Sequence, residues 1–215
     1  MSMAVIEDVE AERAYWDASA SGDARWELFS VPGIDGWEAG INACLAQIIP
    51  ALTPAFRREG TILDLGCGIG RLTLPLAEAF PECSFVGVDI SPRMVAAARA
   101  EAKERRVRNA RFMVGNGRTL PRTLPRLSGA FSVLTFQHLP SEAQEGYIRA
   151  IAGKLEPGGV VRLQFVTSEV DHFLSHGVRA TTVEGWCRDA GLAVPMVDFG
   201  NVDESWAWIT ARKPA

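Results

Sequence analysis

The segment Thr61-Ile62-Leu63-Asp64-Leu65-Gly66-Cys67-Gly68-Ile69-Gly70-Arg71 constrains this chain more than any other. An apolar run carrying one acid breaks into glycines at every second position. Leu72, Leu74, Leu76, Ala77 and Phe80 then follow at helical spacing, the pattern of a strand that turns sharply into a helix. Glycine lets the chain take positive φ there and lets its backbone approach a ligand with no Cβ in the way. The start of the helix turns unpaired N–H groups toward the same place. Nineteen residues after Gly70, the apolar run Phe85-Val86-Gly87-Val88 ends in Asp89. An acid at the tip of the neighbouring strand can accept hydrogen bonds from both hydroxyls of a ribose.

The spacing is G-x-G-x-G, whereas dinucleotide sites more often show G-x-G-x-x-G, in which the last glycine permits tight helix packing. Asp64 stands two residues before the first glycine. A carboxylate there suits a ligand with a cationic amino group better than a diphosphate, which it would repel. A nucleoside joined to an amino acid, without phosphate, describes S-adenosylmethionine.

At these residues the chain resembles the class I S-adenosylmethionine-dependent methyltransferases, and the resemblance covers nearly all of it. Leu63 to Arg71 looks like the first family motif, and Val86-Gly87-Val88-Asp89-Ile90-Ser91-Pro92-Arg93-Met94 resembles the segment that closes over ribose and adenine. Arg111 to Gly117 sits where the family has an apolar strand followed by Gly-Asp and a small residue. Phe136-Gln137-His138-Leu139-Pro140 and Leu155-Glu156-Pro157-Gly158-Gly159 match the exit of the fourth strand and the turn before the fifth. More loosely, Tyr15-Trp16-Asp17, Asp23-Ala24-Arg25-Trp26, Gly36-Trp37-Glu38-Ala39-Gly40 and Trp206-Ala207-Trp208 are similar to a bacterial group of stand-alone methyltransferases of unassigned substrate.

Short apolar runs alternate with amphipathic segments, which predicts an α/β fold, a doubly wound, mostly parallel sheet with helices on both faces. Strands are expected at 61–65, 84–88, 110–114, 130–135, 159–166, 192–198 and 205–212, and helices at 4–18, 36–52, 71–80, 92–106, 142–155 and 181–190. Ser91-Pro92 is a helix start, with serine as cap and proline in the first turn. The last strand follows its predecessor after a short turn and must therefore run antiparallel to it. The result is a seven-stranded sheet with one reversed strand, the Rossmann-like arrangement the resemblance also implies. Residues 1–58 are expected to form a helical lid or cap and 59–215 the methyltransferase domain, within one globular unit; plain packing of the first segment on the sheet edge is the alternative.

With 215 residues the chain is long enough for one domain with a full core. Its net charge of −4 argues mildly against a nucleic-acid surface. Lys103, Arg105, Arg106, Arg108 and Arg111, joined by Arg118, Arg122 and Arg126, form a local basic cluster that reads first as a solvated surface. Cys44, Cys67, Cys83 and Cys187 are scattered without a C-x-x-C pair, as expected of reduced thiols. No apolar run reaches the ~20 residues of a membrane span, and the acidic start does not resemble a signal peptide. A cytoplasmic protein without a membrane partner, monomeric or homodimeric, is expected.

The resemblance implies S-adenosylmethionine as cofactor and S-adenosylhomocysteine as product. By motif position, Gly66, Gly68 and Gly70 line the methionine part, flanked by Cys67 and Arg71. Asp64 orients the turn or reaches the ammonium group. Asp89 accepts from ribose, Ile90 and Met94 pack on adenine beside Ser91, and Thr135, Phe136 and Gln137 lie at the carboxyl end of the fourth strand. Asn116 stands where the family usually has an aspartate bound to the adenine amino group, and its carbonyl can still accept that bond. Gly117 can offer its N–H to a ring nitrogen. Ser128 falls where the family commonly has an acid opening the fourth strand.

Methyl transfer from a sulfonium needs positioning more than acid–base help, so a base is hard to read from sequence. His138 is a candidate base or a loop-fixing residue. His172 and His176 follow the fifth strand, where the acceptor pocket is expected; they are candidate bases, and no metal site is expected. Trp16, Trp26, Trp37, His172 and Phe173 are candidate pocket walls. The chain lacks the Pro-Cys pair and the Asn-Pro-Pro-Tyr type tetrad used on nucleic-acid bases. The expected activity is therefore methylation of an oxygen or nitrogen of a small molecule. The alternatives are a nucleic-acid methyltransferase, or a regulatory protein that binds S-adenosylmethionine without catalysis.

Overall fold

The computed structural model describes residues 9–20, 36–57, 59–167, 176–199 and 206–215. The elements run α1 (Val9–Ser19), α2 (Trp37–Phe56), β1 (Thr61–Leu65), α3 (Thr73–Ala79), β2 (Ser84–Asp89), α4 (Pro92–Glu104), β3 (Ala110–Val114), β4 (Leu127–Ser132), a 3-10 turn (Phe136–His138), α5 (Ser141–Lys154), β5 (Leu155–Val166), α6 (Ala180–Asp189), β6 (Ala193–Phe199) and β7 (Trp206–Arg212). The sheet order is β3-β2-β1-β4-β5-β7-β6. β7 is antiparallel to both of its neighbours, and the pairs from β3 through β5 are parallel. The expected doubly wound sheet with a reversed last strand is the one found.

Side chains alternate across each strand, so neighbouring residues serve opposite layers. Ile62, Phe85 and Phe131 pack with Ile48, Leu52 and Phe56 of α2 and Leu76 of α3. Leu63, Leu65, Val86 and Val88 pack with Tyr147, Ile148 and Ile151 of α5 and Val183 of α6. Val95 and Ala98 of α4 pack on Phe112 beside Leu74. Near-continuous apolar strands buried on both faces are what a parallel sheet requires. Strand order reverses at β1, between β2 and β4, and their carboxyl ends open there into a crevice.

Three boundaries differ from expectation for tertiary reasons. α2 runs to Phe56 although Pro50 and Pro54 each remove a helical N–H. Burial of Leu52, Ala55 and Phe56 offsets that loss, and the Thr53 hydroxyl donates to the Ile49 carbonyl at 2.8 Å. No membrane-length apolar run was expected, yet α2 as a whole is long and apolar enough to cross a bilayer by length and composition, with mean hydropathy 1.3. Its apolar face instead covers the sheet. β4 occupies 127–132 rather than 130–135, because the chain leaves the sheet after Ser132 and Leu134 takes a φ of 56°. β5 begins at Leu155, whose pairing with Leu127 precedes a register shift. Ser128 donates to the Thr61 carbonyl at 3.2 Å, and a Cβ on Gly60 would lie 2.5 Å from its side chain, so a small residue fits there.

One charge is held inside the sheet. The buried Arg162 of β5 donates to Asp198 of β6 and Thr210 of β7, each at 2.7 Å, and to Gln47 of α2 at 2.9 Å. Its guanidinium lies 5.0 Å from the Trp208 ring.

Candidate functional site

The glycines of the β1–α3 turn all have positive φ, at 76°, 53° and 81° for Gly66, Gly68 and Gly70, yet each answers a different neighbour. A Cβ on Gly66 would lie 1.9 Å from the Thr135 hydroxyl. A Cβ on Gly68 would meet nothing within 4 Å; this residue faces the crevice. A Cβ on Gly70 would press on the Phe112 ring at 3.0 Å, so this glycine serves helix packing and stands outside the cavity wall. Cys67 lines the crevice, with its thiol in the space left by Gly87; burial pushes that thiol well above its ordinary value. Asp64 is buried behind the turn, accepts from the Thr73 hydroxyl at 2.6 Å and does not line the cavity. Burial raises its carboxyl to about 7, against the Thr73 bond and the charge of Arg71. Arg71 itself lines the cavity.

Asp89 ends β2 at the mouth. Its carboxylate accepts from the Gly68 N–H at 2.8 Å and the Ser91 N–H at 2.9 Å, one bond to each oxygen. The glycine turn and the acid thus fix each other, and the carboxylate keeps acceptor capacity for a hydroxyl. Burial raises this carboxyl, and the N–H groups of Ser91, Gly68 and Ile90 work against the rise. Ile90 and Met94 line the cavity, whereas Ser91 is buried as the cap of α4, accepting from the Met94 N–H at 3.1 Å. The Ser91 hydroxyl in turn donates to Asp17 of α1, which also accepts from the Arg93 N–H at 3.1 Å.

Asn116 turns its amide into the loop after β3. Its carbonyl accepts from the N–H groups of Arg118 at 3.0 Å and Thr119 at 2.8 Å, and its amino group donates to the Thr119 hydroxyl at 2.9 Å. Both lone pairs are occupied and the residue lies outside the cavity wall. Its neighbours Gly115 and Gly117 do line the cavity.

Beyond β4, the Leu134 N–H donates to the Gln164 side chain at 2.9 Å, which fixes the turn that brings Thr135, Gln137 and His138 to the wall. Phe136 points into the core instead. The His138 ring stands edge-on to Trp16, 4.9 Å between centroids. His176 is tied by its backbone to Gln137 and Gln144 and is not in the wall. His172, Phe173 and Trp26 lie outside the described residues.

Together these groups enclose a cavity of about 350 Å³, within the range of small-molecule sites. Trp16 and Trp37 line it as expected of pocket walls, and besides the expected residues it is lined by Glu12, Tyr15, Tyr147 and Trp206. Glu12 and Tyr147 were not read from sequence. Glu12 is only 7% exposed, and burial raises its carboxyl to about 7, against Arg118 and a side-chain hydrogen bond from Trp16. Burial likewise raises the Tyr147 phenol. The available signal was an acid on the apolar stripe Val9, Glu12, Trp16, whose spacings of three and four share one helix face. Arg118 of the basic cluster acts on Glu12 at the cavity, but several other members face elsewhere. Arg108 and Arg111 lie with Thr61 and Ser84 at the amino ends of the strands, Arg105 pairs with Glu78, and Arg126 donates to the Gly153 and Leu155 carbonyls.

Comparison with known proteins agrees with this architecture. A family profile described as a methyltransferase domain matches residues 62–159. Trans-aconitate 2-methyltransferase of Deinococcus radiodurans is 33% identical over 150 residues, 68% of this chain and 52% of that protein. A tRNA (guanine-N(7)-)-methyltransferase of Synechococcus elongatus is 31% identical over 150 residues, 62% of this chain and 70% of that protein. The chain spans about half the length of the trans-aconitate methyltransferases it matches, 52% and 56% in two of them. The crystal structure of magnesium protoporphyrin IX methyltransferase from Synechocystis with bound S-adenosylmethionine shares the fold, with a TM-score of 0.73 and 19% identity over 98% of this chain and 99% of that one. With the glycine turn, the acid ending β2 and the reversed last strand in one frame, this chain belongs to the class I S-adenosylmethionine-dependent methyltransferases.

Proposed function

We propose that this protein transfers the methyl group of S-adenosylmethionine to an oxygen or nitrogen of a small-molecule acceptor. One observation carries the reading: the crevice at the switch point is lined at its β2 end by Asp89, beside Gly68, and toward β4 and β7 by His138 and Trp206, with Trp16 on His138 and Trp37 also in the wall. The first end suits an adenosyl amino acid. Gly68 leaves open space above its backbone, and Asp89 is held by backbone N–H groups with acceptor capacity left for a ribose hydroxyl. Ile90, Met94 and the small Gly117 bound the adenine position, and Arg71 is the cation placed to face a carboxylate. The second end offers an aromatic wall to a compact, largely apolar acceptor.

The sulfonium supplies an already activated methyl group, so the protein's task is to hold the two partners in line. His138 is the titratable group beside the aromatic end and is the residue we place at the acceptor proton. A nucleic-acid acceptor is less well served, because Arg108 and Arg111 lie at the opposite end of the sheet from the crevice.

Calorimetric titration with S-adenosylmethionine and S-adenosylhomocysteine tests the cofactor half. Asp89→Ala is expected to weaken both by at least tenfold, in keeping with the loss of charge-assisted bonds. Unchanged affinity in a folded variant refutes it. Labelled donor offered with small-molecule extracts and with RNA tests the acceptor half: label in RNA overturns it.

A further inference from the structure

Helix α1 spans the crevice. At its start, Val9 converges with Ile90 on Gly117, where an added Cβ would lie 3.2 Å from Val9 and 2.7 Å from Ile90. Seven residues later, Trp16 rests on His138. Glu12 lies between them on the same face, about one helical turn (~5 Å) from either. It therefore hangs over the middle of the cavity, which it lines, and it is almost completely buried.

A buried carboxylate is costly unless something compensates its charge. The groups that face Glu12 compensate it only in part. Trp16 of α1 gives a neutral hydrogen bond and Arg118, from the loop after β3, an exposed charge, while Asp89 of β2 opposes it. The Tyr147 phenol of α5 is neutral, with burial holding it so. Arg71 is the fixed cation among the described wall residues, and it stands beside the buried Asp64. His138 is the other titratable side chain of the wall that faces α1, through Trp16.

Building on the function proposed above, we infer that Glu12 makes the cavity select the methyl donor, with its net positive charge, over the demethylated product, a zwitterion of zero net charge. The donor carries one net positive charge at its sulfonium, and the product has lost it with the methyl group. The two ligands are otherwise alike, so a carboxylate above the middle of the cavity acts on the difference between them. At an effective dielectric near 20, a unit charge pair inside the cavity gives roughly a tenfold preference after partial screening. The same group favours release of the spent product after transfer. Because burial raises Glu12 to about 7, the preference is present above pH 7 and fades as the carboxyl is protonated below it.

Calorimetric affinities for the donor and product, measured on the full chain between pH 6 and pH 8, decide the matter. In Glu12→Gln the ratio of product to donor dissociation constants at pH 8 is expected to fall roughly tenfold. The wild-type ratio should fall as pH is lowered from 8 to 6, and the ratio in the variant should fall by clearly less, because His138 and Asp89 of the same wall are kept. Glutamine keeps an oxygen for the Trp16 bond, and the wild-type titration needs no variant should this one misfold. An unchanged ratio, equal weakening of both ligands, or slower transfer with unaltered affinities overturns the inference. A wild-type protein that binds neither ligand refutes the methyl-donor reading itself.

Discussion

Gly66→Ala is the sharpest test of how the crevice is built. Two costs add at this position. With φ at 76°, a Cβ costs roughly 1–2 kcal/mol. The new methyl would also lie 1.9 Å from the Thr135 hydroxyl, 2.4 Å from its Cγ2 and 2.6 Å from its Cβ, and forced overpacking of that kind costs roughly 1–3 kcal/mol. The variant should therefore lose roughly 2–5 kcal/mol of unfolding free energy. Gly68→Ala isolates the first cost, because its φ is 53° and its added Cβ meets nothing within 4 Å; roughly 1–2 kcal/mol is expected, with the methyl projecting into the crevice. Thr135→Gly removes every atom in the overlap. A double-mutant cycle by urea denaturation should thus show Gly66→Ala and Thr135→Gly coupled favourably by roughly 1–3 kcal/mol. Equal losses for Gly66→Ala and Gly68→Ala, or no coupling to Thr135, would refute the account of the turn.

Asp64→Asn should stabilise the protein at neutral pH, because it keeps an acceptor for Thr73 while removing a buried charge. The wild-type carboxyl rises from 3.8 to about 7 on folding. Its burial is therefore free of penalty below pH 3.8, and the penalty grows to at most about 4 kcal/mol at pH 7. The gap between variant and wild type should widen across that window in denaturation curves; a gap independent of pH contradicts this. Asp17→Ala should cost about 1 kcal/mol and speed proteolysis within 9–19, since Asp17 anchors α1 to the start of α4. Ser91 lowers the Asp17 carboxyl, so this anchoring persists above the ordinary carboxylate range and is lost only in stronger acid. Equal protection of α1 in both proteins would count against it.

What was legible in the sequence was local. The glycine turn, Asp89 and the Ser91-Pro92 cap are encoded by neighbours in the chain, and the structure joins them through bonds between Gly68, Asp89 and Ser91. What was not legible depends on partners remote in sequence. Val133 and Leu134 continue an apolar run, yet Gln164 of β5 captures the Leu134 N–H and ends the strand early. Pro50 and Pro54 argue for a stop that burial of Phe56 overrides. Asn116 occupies the family's adenine-contact position, but its loop uses both lone pairs. Glu12 reaches the crevice only because Asp17 lays its helix across it.

The guanidinium inside the sheet bears on how this scaffold can be recombined. Arg162 binds Gln47, 115 positions upstream, as well as side chains on both terminal strands. A chimaera that exchanges residues 1–58 while keeping the rest severs one arm of that junction and leaves a charge in the interior short of a partner. Graftable units in this protein are therefore defined by who shares the arginine, and α2 travels with the carboxyl-terminal strands rather than with the helix before it.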